Sequence, residues 1–169
     1  MSFYQILLLS MALPAVLSDL KQMRIPNQML YAFWFLGLCY RITCEGGKGI
    51  LSFLAGAVVP ICLLLFLFVF RMLGPGDIKL LSALGGVMGP GIILQCIIWS
   101  FLTGAILSAA ILLATGSLSE RLRYFTDYFL NLYYSKKRKA YYRKGNRYEN
   151  IHFTIPILFS VLLHMGGLY

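Results

Sequence analysis

Residues 50–70 form an unbroken apolar run without one charged side chain. A hydrocarbon core near 30 Å takes roughly 20 helical residues to cross, and this run is long enough. Five more apolar runs surround it, at about 3–18, 28–44, 77–88, 92–114 and 151–168. The expectation is an all-α chain: a polytopic integral membrane bundle of six transmembrane helices. Charged residues make up only 12% and mean hydropathy is +0.76, which leaves too little polar surface for a water-soluble domain. At 169 residues the whole of 1–169 reads as one membrane domain. The runs at 3–18 and 77–88 fall short of a full crossing. A short span either thins the local bilayer or is sheltered by its neighbours.

The net charge of +9 would raise nucleic acid as a partner in a soluble protein. In an apolar chain it reports sidedness instead, because Lys and Arg collect in cytoplasmic loops. With the N-terminus outside and six crossings, the inner loops hold Lys21, Arg24, Arg71, Lys79 and every basic residue of 116–150. Only Arg41 and Lys48 fall outside, and Arg41 ends its span where it can snorkel. Both termini are therefore expected outside, and the 116–150 loop in the cytoplasm. In that loop Leu118, Leu122, Phe125, Phe129 and Leu132 recur at helical spacing, and tyrosines interleave with the basic residues. The plainer reading is an interfacial amphipathic helix and a basic segment on anionic lipid headgroups; a substrate-docking lid is the sharper one. No nucleic-acid partner is expected.

The cysteines, Cys39, Cys44, Cys62 and Cys96, make no C-x-x-C pair, so no metal site and no cofactor are expected. The start, from Met1 to Gln5, lacks the basic stretch of a secretory signal, so the first segment is read as retained.

The chain has 6 acidic residues, and two of them lie at membrane boundaries. Asp19 ends the first run. Asp77 opens the fourth, in Gly74-Pro75-Gly76-Asp77-Ile78-Lys79-Leu80. Ionisable groups at such places are functional-site candidates. Two carboxylates that meet can share a proton and activate water. Asp19 follows one crossing and Asp77 three, so both fall on one face, the cytoplasmic one. Gly74 and Gly76 allow close backbone approach, and Pro75 fixes a dihedral at the helix start. Plainer readings stand beside these: Asp77 as an N-cap, Asp19 as a juxtamembrane charge, Lys79 as a snorkelling lysine, and His152 and His164 as interface or packing residues.

Asp19 followed by Arg24-Ile25-Pro26-Asn27, and then Gly74-Pro75-Gly76-Asp77-Ile78-Lys79-Leu80-Leu81, closely resembles the prepilin peptidases. These type IV prepilin leader peptidases are GxGD-type aspartic membrane proteases. The segment His152-Phe153-Thr154-Ile155-Pro156-Ile157 is similar to the family's last span. The resemblance implies that Asp19 and Asp77 are catalytic, with Gly74, Gly76 and Lys79 supporting them. It implies a type IV pilin-like precursor as substrate, cut after a Gly at the cytoplasmic face of the inner or plasma membrane. Many bacterial members carry a cytoplasmic domain between the first two spans, with paired C-x-x-C motifs and methyltransferase activity. From Asp19 to Gln28 there is no room for one, so peptidase activity alone is expected. The compact form resembles members that serve Flp-type pili. The alternative from another class is a small transporter or structural membrane subunit. Transporters often show two related halves, and none is visible here.

Overall fold

The computed structural model describes residues 2–70, 72–115 and 152–169, without the side chains of Leu112 and Thr115. Loop 116–150, with the amphipathic and basic stretch expected there, lies outside the described residues, as do Arg71 and Ile151. The described residues form six helices and no strand: α1 Phe3–Gln22, α2 Asn27–Glu45, α3 Lys48–Val69, α4 Pro75–Met88, α5 Pro90–Thr115 and α6 Thr154–Met165.

Each boundary has a local cause. Ser2 caps α1, and its side chain and that of Gln5 satisfy each other's backbone N–H groups, a capping box. Met23 ends that helix in the left-handed region at φ 54°. Pro26, held at φ −62°, then leads into α2. Pro75 stands at the first position of α4, where its missing N–H costs nothing. Gly89, at φ 88°, turns the chain between α4 and α5.

The helices run up and down between two ends. One end gathers the close of α1 with the starts of α2, α4 and α6, since Asp19 bonds Thr154 and Lys79 bonds Asn27. The other gathers the start of α1 with the closes of α2, α4 and α6, where Tyr4 meets Tyr40 and His164 and Arg41 meets Gly86.

By length and composition three helices can each cross a membrane: α1, α3 and α5, with mean hydropathies of 1.6, 2.7 and 2.0. The first is longer than the expected run at 3–18, because it continues for a further turn and carries Asp19 inside it. α4 has 14 residues and α6 has 12, too short to span unaided. α4 is the sheltered one. It touches α1, α2, α3 and α5, and every residue from Leu80 to Met88 is buried. A helix apolar all round belongs inside a bundle. The outer faces of α3 and α5 carry exposed Leu51, Phe66, Ile98 and Ile106, apolar surface suited to lipid rather than water.

Small residues set the distance between α3 and α4. A methyl group added at Gly56 would strike the Gly85 carbonyl, and one at Gly85 would strike the Gly56 carbonyl. Close backbone approach of this kind is how helices associate when lipid removes the hydrophobic drive. Gly86 in turn accommodates the Phe53 ring. Buried Ser82 stitches the pair further, donating to the Ala57 carbonyl at 2.7 Å.

Candidate active site

Asp19 lies in the last turn of α1 and Asp77 in the first turn of α4. The N-cap of α4 is Gly74, not Asp77, so the capping role considered for Asp77 falls to its neighbour. Asp77 is the third helical residue, and its carboxylate reaches back to accept the Gly74 backbone N–H. That is half of a capping box, with an acid in the position Glu usually takes. The arrangement explains Gly74: a methyl group there would stand 3.1 Å from Asp77 Oδ2. Gly76 is less constrained. A methyl group on it would make an ordinary 3.6 Å contact with Ile25.

Asp19 is held from the far end of the sequence. Its Oδ2 accepts the Thr154 hydroxyl at 2.8 Å and lies 3.0 Å from His152 Nδ1. Thr154 is fully buried at the start of α6. The side chains of His152 and Asp19 are 18% and 14% exposed, so the contact is largely sheltered from water. Sequence reasoning had placed His152 as an interface or packing residue and missed both partners.

The two carboxylates come together. They are near enough for their charges to interact. Both line a cavity of about 610 Å3 with Met72, Leu73, Phe101, Gly104 and His152. Both also line a smaller cavity of about 190 Å3, with Arg24, Asn27 and Lys79 on its wall. The Lys79 ammonium donates to Asn27 Oδ1 at 3.0 Å, which ties α4 to the start of α2. Phe101, Gly104 and Ala105 bring α5 into the larger cavity; no motif in α5 announced them.

Among the described residues no group of three or more His, Cys, Asp or Glu is gathered where it could hold a metal ion. The four cysteines are free, with Cys96 buried and the others exposed. At the cavity stand two carboxylates and one imidazole, with the buried Thr154 hydroxyl and the Gly74 N–H bonded to the acids. Such a pair suits general acid–base work on a water molecule.

The chain has no significant match among curated proteins or among solved structures. A family model, described as the type IV leader peptidase family, matches residues 6–109. The match covers more than half of the chain and takes in both acids and the Gly74-to-Lys79 segment, while His152 and Thr154 lie beyond it. With an all-helical, lipid-suited architecture and two carboxylates meeting at one end of it, the chain belongs to the type IV leader peptidase family, membrane proteases that act on prepilins.

Proposed function

We propose that this protein is an aspartic endopeptidase that removes the leader of a Flp-type prepilin at the cytoplasmic membrane face, with Asp19 and Asp77 activating the water. The observation that carries the reading is that these two acids, distant in sequence and on different helices, line one cavity. Lone acids with structural duties need not meet. In this mechanism the pair carries one shared proton, which keeps its net charge near minus one. One member then takes a proton from water while the other donates one to the scissile carbonyl.

The cavity's apolar wall of Met72, Phe101 and Phe153 suits the start of a pilin's apolar helix. Gly74 leaves room beside Asp77 for an extended substrate backbone, and Gly76 supports the site as a small residue packed on Ile25. Lys79 acts as a supporting residue by fixing the start of α4 through Asn27. Six crossings with both termini outside, in the plasma membrane, follow from the basic residues of the inner loops. Loop 116–150 lies on anionic lipid headgroups in this arrangement, and no nucleic acid is involved. The turn at 23–26 joins α1 directly to α2, which supports peptidase activity without methyl transfer.

Co-expression with a Flp-type prepilin from the same genome, read by gel shift and leader mass, tests the reading. Native chain is expected to cleave, and Asp19→Asn and Asp77→Asn are not. Cleavage by either variant at the native rate would end the two-aspartate mechanism.

A further inference from the structure

The two acids are not equivalent in their surroundings. Asp19 Oδ2 has two side-chain partners, Thr154 Oγ1 at 2.8 Å and His152 Nδ1 at 3.0 Å. Asp77 has a single backbone N–H, from Gly74. The Thr154 hydroxyl donates to Asp19 Oδ2, and with its proton on Nδ1 the His152 ring donates to it as well; two donors on one oxygen favour the charged form of that acid. When two neighbouring acids share one proton, the charge settles on the member with more donors. Neither His152 nor Thr154 lies in the part of the chain matched by the family model.

We propose that His152 and Thr154 hold Asp19 as the ionised, water-activating member of the pair, which makes them positioning residues and leaves Asp77 as the proton donor. The proposal rests on the peptidase reading above. Both partners sit on Oδ2, so Oδ1 is the oxygen left to take a proton. Water gives a proton to Asp19 Oδ1 as its oxygen bonds the scissile carbonyl carbon. Asp77 gives its proton to the carbonyl oxygen, and a gem-diol forms. On collapse, the C–N bond breaks, Asp19 passes its proton to the leaving nitrogen, and Asp77 recovers one from a diol hydroxyl. One water is consumed and both acids return to their starting states.

The geometry also fixes which substitutions can stand in. The side-chain amide nitrogen of Asn occupies the place of Nδ1, whereas that of Gln reaches toward Nε2. The full chain in detergent, assayed on a Flp-type prepilin, should lose roughly 10–100-fold in kcat with His152→Gln or Thr154→Val, because each removes a donor to a charged group. KM should stay within about twofold, since neither residue is proposed to bind substrate. His152→Asn and Thr154→Ser should restore most of the lost rate. A packing role predicts otherwise: Val replaces Thr at equal volume, and Gln fills the larger imidazole space better than Asn. Full activity of Thr154→Val, or Gln outperforming Asn, overturns the proposal.

A second readout needs no turnover. Carbodiimides add to protonated carboxyl groups, so the native chain should be labelled at Asp77 and spared at Asp19 when its peptides are weighed. Thr154→Val and His152→Gln should spread the label to Asp19. The charged groups that also face the pair, Arg24 and Lys79 across the smaller cavity, are unchanged in every arm. Equal labelling of both acids in the native chain overturns the assignment. Selective labelling of Asp77 without cleavage of any prepilin supports the charge assignment and sinks the peptidase reading instead.

Discussion

The two ends of α4 face opposite electrostatic problems. At its close, the Gly86 carbonyl would normally accept from the residue four positions on, but that residue is Pro90, which has no N–H. Arg41 Nε from α2 supplies the missing donor at 3.1 Å, and Glu45 pairs with the same guanidinium. A cation at a helix C-terminus, balanced by an acid, lowers the energy of everything around it. Nearby, Tyr4, His164, Tyr169 and Ser160 close a hydrogen-bonded chain. At the start of α4 the polar groups are arranged differently. Two acids meet there, and a cavity stands open beside them. The closed end pairs its polar groups with one another, and the open end leaves two paired acids beside a cavity. Folding alone gives no reason to bring Asp19 to Asp77; the proposed chemistry does.

That contrast predicts opposite responses to substitution. The largest effect belongs to the open end. Asp77→Asn should lower cleavage by about 100- to 10,000-fold, the usual range for losing a positioned acid or base. Its thermal midpoint in detergent should not fall, because the Asn side-chain oxygen can still accept the Gly74 N–H and no ion pair is lost with the proton-bearing acid. A variant that both unfolds and loses activity would mean the acids hold the fold, and the contrast would be lost.

Next come substitutions between the two ends. Gly85→Ala drives a methyl group into the Gly56 carbonyl. Pro60 has already deprived that carbonyl of its helical donor, and neither backbone can yield by turning a side chain. A loss at the upper end of about 1–3 kcal/mol is expected, measured by thermal or denaturant unfolding. Arg41→Met follows. It leaves the Gly86 carbonyl without its donor and should cost about 1–2 kcal/mol, with kcat unchanged in the molecules that remain folded. A fall in kcat as large as that of Asp77→Asn would show that α4 transmits strain from one end to the other.

The sequence carried the open end better than the closed one, for physical reasons. Asp19 and Asp77 sit in local motifs, and crossing parity puts them on one face without any knowledge of packing. The short run at 77–88 also hinted at a sheltered helix, which α4 is. What stayed hidden depends on contacts between distant segments. His152 lies just beyond the basic loop, 133 positions from Asp19, and nothing in local spacing ties the two together. Pro90 reveals that Gly86 needs a donor, but not that Arg41, read as a snorkelling residue, provides it. The apolar run at about 3–18 does not mark the end of α1, because the helix continues through polar Asp19, Lys21 and Gln22. Backbone hydrogen bonding outlasts hydropathy there.

The smallest predicted effect compares the two histidines directly. His164 Nδ1 lies 2.9 Å from the Tyr169 main-chain oxygen, which can only accept, so Nδ1 carries the proton. In the neutral ring Nε2 is then an acceptor, and the Tyr4 hydroxyl donates to it at 3.0 Å. Both ring nitrogens are committed to structural partners. Tyr4→Phe removes that one donor and keeps the edge-on ring contact, whose centroids are 5.9 Å apart. The expected cost is about 1 kcal/mol of stability, with cleavage unchanged. His152→Gln should do the reverse, with little change in thermal midpoint and a clear loss of rate. If Tyr4→Phe slowed cleavage as much as His152→Gln, the closed end would be part of the catalytic apparatus, and its resolved polar network would need a functional explanation rather than a structural one.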